Sequence, residues 1–373
     1  MNLWMNVGLE TTRSRIMLGR RVKQCRWKRC GNGGESNNLT GSLVHWSIWM
    51  KLERSCMTLD DIQQIGVIGA GLMGHGIAQE FAFAGYQVHL HDVSQAQVDA
   101  GIARIRENLQ LFVENDLARP DQIDETLNRI HGSNQLEVVG DEADFVIEAV
   151  IENLPLKQEV FRQLDQICPA RTILASNTTA QMPSQIGAFT QRQDKILNTH
   201  YFNPPYLIPL VELIRSPKTS DETLQVAYDL MVKIGKTPAV IQKEVPGFVG
   251  PRLQAAVIRE AFSIVERGIA TAEDVDLVVR NSFGRRLSVA GPFQVFELAG
   301  WDLVLAAFEE LYKDLNSSSE INPLLREMVE GDKLGVKSGA GFYEWTPERI
   351  EEIRDRMNQT LIGRMKEDVK REA

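Results

Sequence analysis

The stretch from 62 to 92 constrains this chain more than any other. An apolar run (Ile65, Val67, Ile68) leads into Gly69-Ala70-Gly71-Leu72-Met73-Gly74. A helix-period segment follows (Ile77, Ala78, Phe81, Ala82) and stops at Gly85, a C-cap residue; a second strand, Gln87–His91, then ends at Asp92. Strand, glycine turn, helix, strand and acid in this order predict the first unit of a doubly wound sheet that holds a dinucleotide. Gly69 allows the tight turn, Gly71 lets backbone approach a pyrophosphate, and Gly74 lets the helix pack close to the sheet. The N-terminus of that helix, with Leu72 and Met73 in the turn before it, offers N–H groups and partial positive charge to the anion. Asp92 lies 18 residues past Gly74, placed to bind a ribose diol. A 2′-phosphate there would meet like charge and no Arg adjoins Asp92, so NAD is expected over NADP. The bland alternative is a glycine turn used only for packing. His75 and His89 are read as satisfied structural histidines.

Further strands are expected at 143–150, a nearly continuous apolar run of the kind found in buried parallel strands, at 172–176, at 196–201 and at 236–243. Glu148 and Glu152 sit near the C-terminal end of the first of these, where open sheets bind ligands.

Composition divides the chain. Residues 1–56 carry ten Lys/Arg and three Glu, with four of the six Trp and three of the four Cys; the remainder carries 31 basic and 47 acidic side chains. Such a split marks two unlike segments. Residues 1–56 are read as an atypical extension: upstream sequence before a native start at Met57, an Arg-rich mitochondrial targeting segment, or an accessory segment. Because the body is acidic, nucleic acid is not expected as a partner. No transmembrane helix is credible in the interrupted uncharged stretch 36–50, and Cys168 alone in the body suits a reducing compartment.

Glu212 stands in an otherwise apolar strand, within Pro209-Leu-Val-Glu-Leu-Ile, and burying it unpaired would cost several kcal/mol. His200, twelve residues earlier across a turn containing Pro204, Pro205 and Pro209, is its natural partner. A carboxylate on one imidazole nitrogen fixes the tautomer and leaves the other nitrogen as a general base, as oxidation of an alcohol requires. A structural His–Glu pair is the alternative at this point.

The blocks GAGLMGHGIAQ, ADFVIEAVIENLPLK, ILASNTT, THYFNPPYLIPLVELI, VPGFVGPRL and LGVKSGAGFY, in this order over 62–345, resemble the short-chain L-3-hydroxyacyl-CoA dehydrogenases. The resemblance implies an α/β Rossmann-type NAD-binding domain followed by an all-α C-terminal dimerisation domain. It implies His200 as general base, Glu212 as its orienting partner and Thr179 as the hydroxyl near the substrate oxygen. Glu152, Lys157, Asn203 and Lys337 fall on cofactor-contact positions and Asp92 on the ribose acid. The substrate implied is a 3-hydroxyacyl-CoA, and a cytoplasmic homodimer of fatty acid metabolism is expected. No metal and no membrane partner are expected; a matrix location would follow if 1–56 were a targeting segment.

Two departures bear on substrate. Where the family's PGF-x-x-N-R-L block has Asn, this chain has Pro251, and where the family has serine it has Thr179. The stretch 101–115 has Arg104 and Arg106 but no Lys cluster for CoA, with Ile105 and Phe112 near the contact positions. A non-CoA 3-hydroxy acid or related alcohol (gulonate, carnitine or pyridine carboxylate type) is therefore a second candidate, and a non-catalytic NAD-binding relative a third. The domains expected are 57–244 for NAD, 245–345 helical, and 346–373 a charged C-terminal helix whose apolar stripe is Ile350, Ile353, Met357 and Leu361. Thr271 and Asp274 suggest a capping box, and Thr346-Pro347 a helix start.

Overall fold

The computed structural model describes residues 57–372; the extension 1–56 and the three readings attached to it lie outside the described residues. The described chain opens with β1 (Gln64–Ile68), α1 (Gly74–Phe83), β2 (Gln87–His91), α2 (Gln95–Glu114), α3 (Asp121–Leu127) and β3 (Ile130–Ser133). It continues through α4 (Leu136–Gly140), β4 (Phe145–Glu148), α5 (Leu154–Ile167), β5 (Ile173–Ser176) and α6 (Pro183–Ile186). The sheet is completed by β6 (Ile196–Tyr201), β7 (Leu210–Arg215) and β8 (Thr237–Ile241), with α7 (Asp221–Lys233) between the last two.

The eight strands lie in the order β3-β2-β1-β4-β5-β6-β7-β8. Strands β1 to β6 are parallel, β7 runs antiparallel to β6, and β8 follows β7 in parallel. The reversal has a simple cause. Parallel neighbours need a crossover of a dozen residues or more, and the link from Tyr201 to Leu210 is too short for one. Successive side chains leave a strand on opposite faces, so Phe145 and Ile147 join one apolar cluster while Val146 joins the other. Both faces of the central strands are thus covered from within the chain.

Seven helices follow: α8 (Gly250–Glu266), α9 (Ala272–Asn281), α10 (Phe283–Leu287), α11 (Pro292–Glu297), α12 (Trp301–Leu311), α13 (Pro323–Glu330) and α14 (Pro347–Glu372). Thr271 caps α9 by accepting the Asp274 N–H at 3.1 Å, and Thr346 Oγ1 accepts from Arg349 N at 3.3 Å as α14 begins. On α14 the apolar stripe differs from the one the spacing suggests. Met357 is exposed, and the buried contact is Ile362, which with Leu361 and Met365 packs on Phe112, Leu207 and Tyr206. No helix among the described residues is long and apolar enough to cross a membrane.

Candidate active site

The glycine turn forms at the C-terminal end of β1. Gly69 has φ +104°, and a Cβ there would lie 2.6 Å from Ala149 O, so only glycine fits without strain. A Cβ on Gly74 would lie 1.6 Å from Gly69 O; this glycine closes the helix onto the turn itself rather than onto the sheet. A Cβ on Gly71 would meet nothing within 4 Å, so that side of the turn is open space. Asp92 is anchored at the tip of β2, where Oδ2 accepts from Ala70 N at 2.8 Å and Oδ1 from Val93 N at 2.7 Å. The N–H groups of Leu72 and Met73 meet no acceptor among the described residues, and the Leu72 side chain stands out from the turn. Free donors at a helix start, an open glycine face and a fixed carboxylate fit a dinucleotide diphosphate and its ribose.

Arg104, on α2, donates to Ala70 O at 2.7 Å. A guanidinium therefore does lie beside the turn, although none is near in sequence. The preference for NAD over NADP rests on the Asp92 carboxylate. The nearby histidines are satisfied: His75 Nδ1 lies 2.7 Å from Gly71 O and His89 Nε2 3.1 Å from Gln64 Oε1. Burial is the first cause holding both histidines below their usual pKa.

At the ends of β4 and β5 the carboxylates separate in role. Glu148 is fully buried, pairing with Lys157 Nζ at 2.7 Å and accepting from Ser176 Oγ at 2.6 Å and Val150 N at 2.7 Å. It is an internal strut, not a ligand-facing group. Lys157 departs from its expected role in the same way. Its ammonium is buried against Glu148 and Val150 O, with Glu152 Oε2 at 3.4 Å. Glu152 is half-exposed and accepts hydrogen bonds from Thr178 Oγ1 and from Ala180 N at 3.3 Å.

The antiparallel register of β6 and β7 sets His200 directly opposite Glu212. Both are buried, and His200 Nδ1 lies 2.9 Å from Glu212 Oε2. The other carboxylate oxygen accepts the N–H groups of Gly250 at 2.8 Å and Val249 at 3.2 Å, where α8 begins. Burial pushes the Glu212 carboxyl up, but the hydrogen bonds from His200 and Gly250, the His200 charge and the Val249 bond outweigh it and hold the group below the usual carboxylate value. The rings of Phe202 and Phe248 stand 4.7 Å and 5.8 Å from the imidazole. No hydrogen bond to His200 Nε2 occurs among the described residues. Helix α8 approaches closely because residue 250 is glycine: a Cβ there would lie 2.5 Å from Phe202 Cζ.

The remaining expected residues divide. Thr179 is exposed in the loop after β5, next to the buried Thr178, and Asn203 is exposed just after β6, before the cis Asn203–Pro204 bond. Lys337 is exposed between α13 and α14 and makes no hydrogen bond or ion pair with the sheet residues of the site, so the structure does not bring it together with them. Ile105 and Phe112 are buried core residues of α2; Phe112 borders a cavity with Tyr206 and Leu207 of the turn after β6. Three contributors escape the motif reading: the Val249 and Gly250 N–H groups, Arg104, and Asn177, whose Oδ1 accepts from Tyr201 N at 2.9 Å beside His200. Two have a sequence signal: the Pro246-Gly247 break that starts α8, and the ILASNTT block that contains Asn177.

Residues 64–245 match the family described as "3-hydroxyacyl-CoA dehydrogenase, NAD binding domain", and residues 247–345 its C-terminal domain. A probable 3-hydroxybutyryl-CoA dehydrogenase of Bacillus subtilis is 39% identical over 286 residues, 76% of this chain and 98% of the relative. The 5-formyl-3-hydroxy-2-methylpyridine 4-carboxylate 5-dehydrogenase of Mesorhizobium japonicum is 31% identical over 302 residues, 81% of this chain and 97% of the relative. A crystal structure of an enzyme with that activity, described as an NAD+-dependent dismutase, superposes with a TM-score of 0.76 at 31% identity, covering 81% of this chain and 97% of that one. That of (S)-3-hydroxybutyryl-CoA dehydrogenase from Ralstonia eutropha gives 0.65 at 35% identity, covering 76% and 99%. The chain belongs to the 3-hydroxyacyl-CoA dehydrogenase family, as an oxidoreductase whose cofactor is NAD.

Proposed function

We propose that the protein reversibly oxidises the 3-hydroxyl of an (S)-3-hydroxyacyl thioester to the 3-oxo group, with His200 as general base. The observation that carries this reading is the buried His200–Glu212 pair at 2.9 Å, with one imidazole nitrogen held and the other left for substrate. NAD supplies the two-electron acceptor. His200 Nε2 takes the hydroxyl proton, and Glu212 holds Nδ1–H and stabilises the imidazolium that forms. The two backbone N–H groups on Glu212 keep its second oxygen from turning away. Thr179 orients the substrate oxygen. Gly69, Gly71, Leu72, Met73, Gly74 and Asp92 hold the dinucleotide, with Glu152 and Asn203 beside its nicotinamide end and Lys157 acting through Glu152, whereas Lys337 stands apart from them. That domain runs over 245–345, after the NAD domain at 57–244.

A second reading, a 3-hydroxy acid or related alcohol without CoA, is favoured by Pro251. It sits in the first turn of α8, next to the Gly250 N–H that binds Glu212, and has no side-chain donor for a thioester oxygen. The similarity to the pyridine carboxylate dehydrogenase supports the same reading. Assaying NADH-dependent reduction of acetoacetyl-CoA against free 3-oxo acids, and the reverse reactions with NAD, separates the two. A CoA-specific enzyme reduces acetoacetyl-CoA; reduction of free acids alone refutes the thioester reading. Pro251→Asn should raise acetoacetyl-CoA turnover severalfold, and no gain would remove Pro251 as a determinant of substrate range.

The working unit we propose is a homodimer joined through the helical domain, as its large exposed apolar side chains suggest. Light scattering at micromolar concentration should give twice the chain mass.

A further inference from the structure

We infer that Ile362 of the C-terminal helix is a positioning residue for the catalytic pair, acting through the turn that joins His200's strand to Glu212's. This inference rests on the dyad reading above. The turn, 202–209, fixes how β6 and β7 meet, and it carries Asn203. Two supports hold it from the sheet side. It lies against Gly76 of α1, where a Cβ would be 2.7 Å from Pro205 Cγ. Lys236, itself ion-paired with the buried Glu80, donates to Pro205 O at 2.6 Å.

The third support comes from α14. Ile362 is buried against Leu207 of the turn and Phe112 of α2. Next to them the Tyr206 ring lies edge-on to Phe112 at 6.1 Å and tilted to His75 at 6.5 Å, and His75 Nδ1 in turn holds Gly71 O. One side chain of the tail therefore backs both the catalytic turn and, through two rings, the glycine turn. Farther along the same helix, Arg364 Nη2 donates to Ser288 Oγ of the helical domain at 3.1 Å. The helix lies beyond residue 345, where the family's C-terminal region ends. A tail that only added packing area could dock anywhere on the sheet domain; this one docks on the turn.

Ile362 meets the turn at Leu207 within one buried cluster, and a misplacement of about 1 Å at reacting groups can lower turnover by up to about 10²-fold. The test compares Ile362→Ala, Ile362→Val and Met357→Ala in the full chain, Met357 being exposed on the same helix. The readouts are NADH affinity, kcat, KM, the kcat–pH profile on whichever of acetoacetyl-CoA or free 3-oxo acids is turned over, and hydrogen exchange of 202–209. In Ile362→Ala we expect kcat to fall about tenfold, with KM and NADH affinity within about twofold and the acid limb of kcat displaced. Exchange of the turn should accelerate. Ile362→Val should recover most of the loss, and Met357→Ala should match wild type. An unchanged kcat and pH profile in Ile362→Ala, at a temperature where it is folded, overturns the inference even if its melting temperature drops. Should neither substrate be turned over, unchanged exchange of 202–209 overturns it alone. Full activity of His200→Gln would instead refute the dyad; an inactive His200→Gln beside a normal Ile362→Ala refutes only the role of the tail.

Discussion

The sheet domain buries both faces of its central strands with its own residues, whereas the helices from 250 to 345 bury one large hydrophobic side chain, Val304, among the described residues. In the same region Leu298, Val289 and Phe293 are 88%, 78% and 75% exposed. A folded surface rarely leaves so many large apolar side chains open to solvent unless something covers them. The difference separates the labours of the two regions. The glycine turn, Asp92 and the His–Glu pair are assembled at strand ends of the sheet domain, with α14 backing the turn between β6 and β7. The helical region lends the site only the two N–H groups at the start of α8, and its apolar side chains are the ones available to a second copy.

Perturbations of the two regions should therefore fail in different ways. The largest effect is expected from Gly74→Ala, whose methyl would meet Gly69 O. NADH affinity should fall by more than about 100-fold, because the cradle's donors converge only if the helix closes on the turn. Titration of NADH fluorescence reads this directly, and near-normal affinity would show that the turn does not hold the dinucleotide. Next comes Leu298→Asp in the helical region. It should weaken self-association by about 10- to 100-fold while leaving NADH affinity within about twofold; sedimentation of the variant checks the first and titration the second. Loss of NADH binding without dissociation would break the division of labour proposed here.

A smaller effect is expected from Glu212→Gln in the sheet. Removing the charge that His200 and two N–H groups share should cost about 1–2 kcal/mol of stability at pH 7. The sign follows from the direction of the shift. The folded-state carboxyl is held below its ordinary value of 4.5, so its contribution is present above that pH and is lost as pH falls through the lower folded value. Denaturant melts of wild type and variant should begin to approach each other as pH falls below about 4.5, and a constant gap down to pH 3 would contradict the assignment.

The sequence reveals those parts of the fold and site that local chemistry decides. The glycine turn, β2, β6 and the capped start of α9 coincide with their motifs, because a turn, an apolar run or a cap is complete within a few residues. Glu212's need for a partner was likewise legible, since an acid in an apolar strand implies one. What local pattern could not reveal depends on distant neighbours. Edge strand β3, Ile130-His-Gly-Ser, lacks an apolar run because it pairs on one side only. Lys157 looks like a surface cation until α5 lays it beside Glu148. Arg104 meets the glycine turn only because α2 packs across it, where a Cβ on Gly101 would be 2.9 Å from Ala70 Cβ. The buried side of α14 falls at Ile362, since the partner surface, not the helical period alone, selects which stripe is covered.

His200, held by Glu212, is proposed to move the substrate proton. Single-turnover oxidation by His200→Gln, with NADH affinity measured on the same sample, tests it most directly. Affinity should stay within about twofold while turnover falls by about 10² or more. Turnover near wild type with NADH binding intact would contradict it.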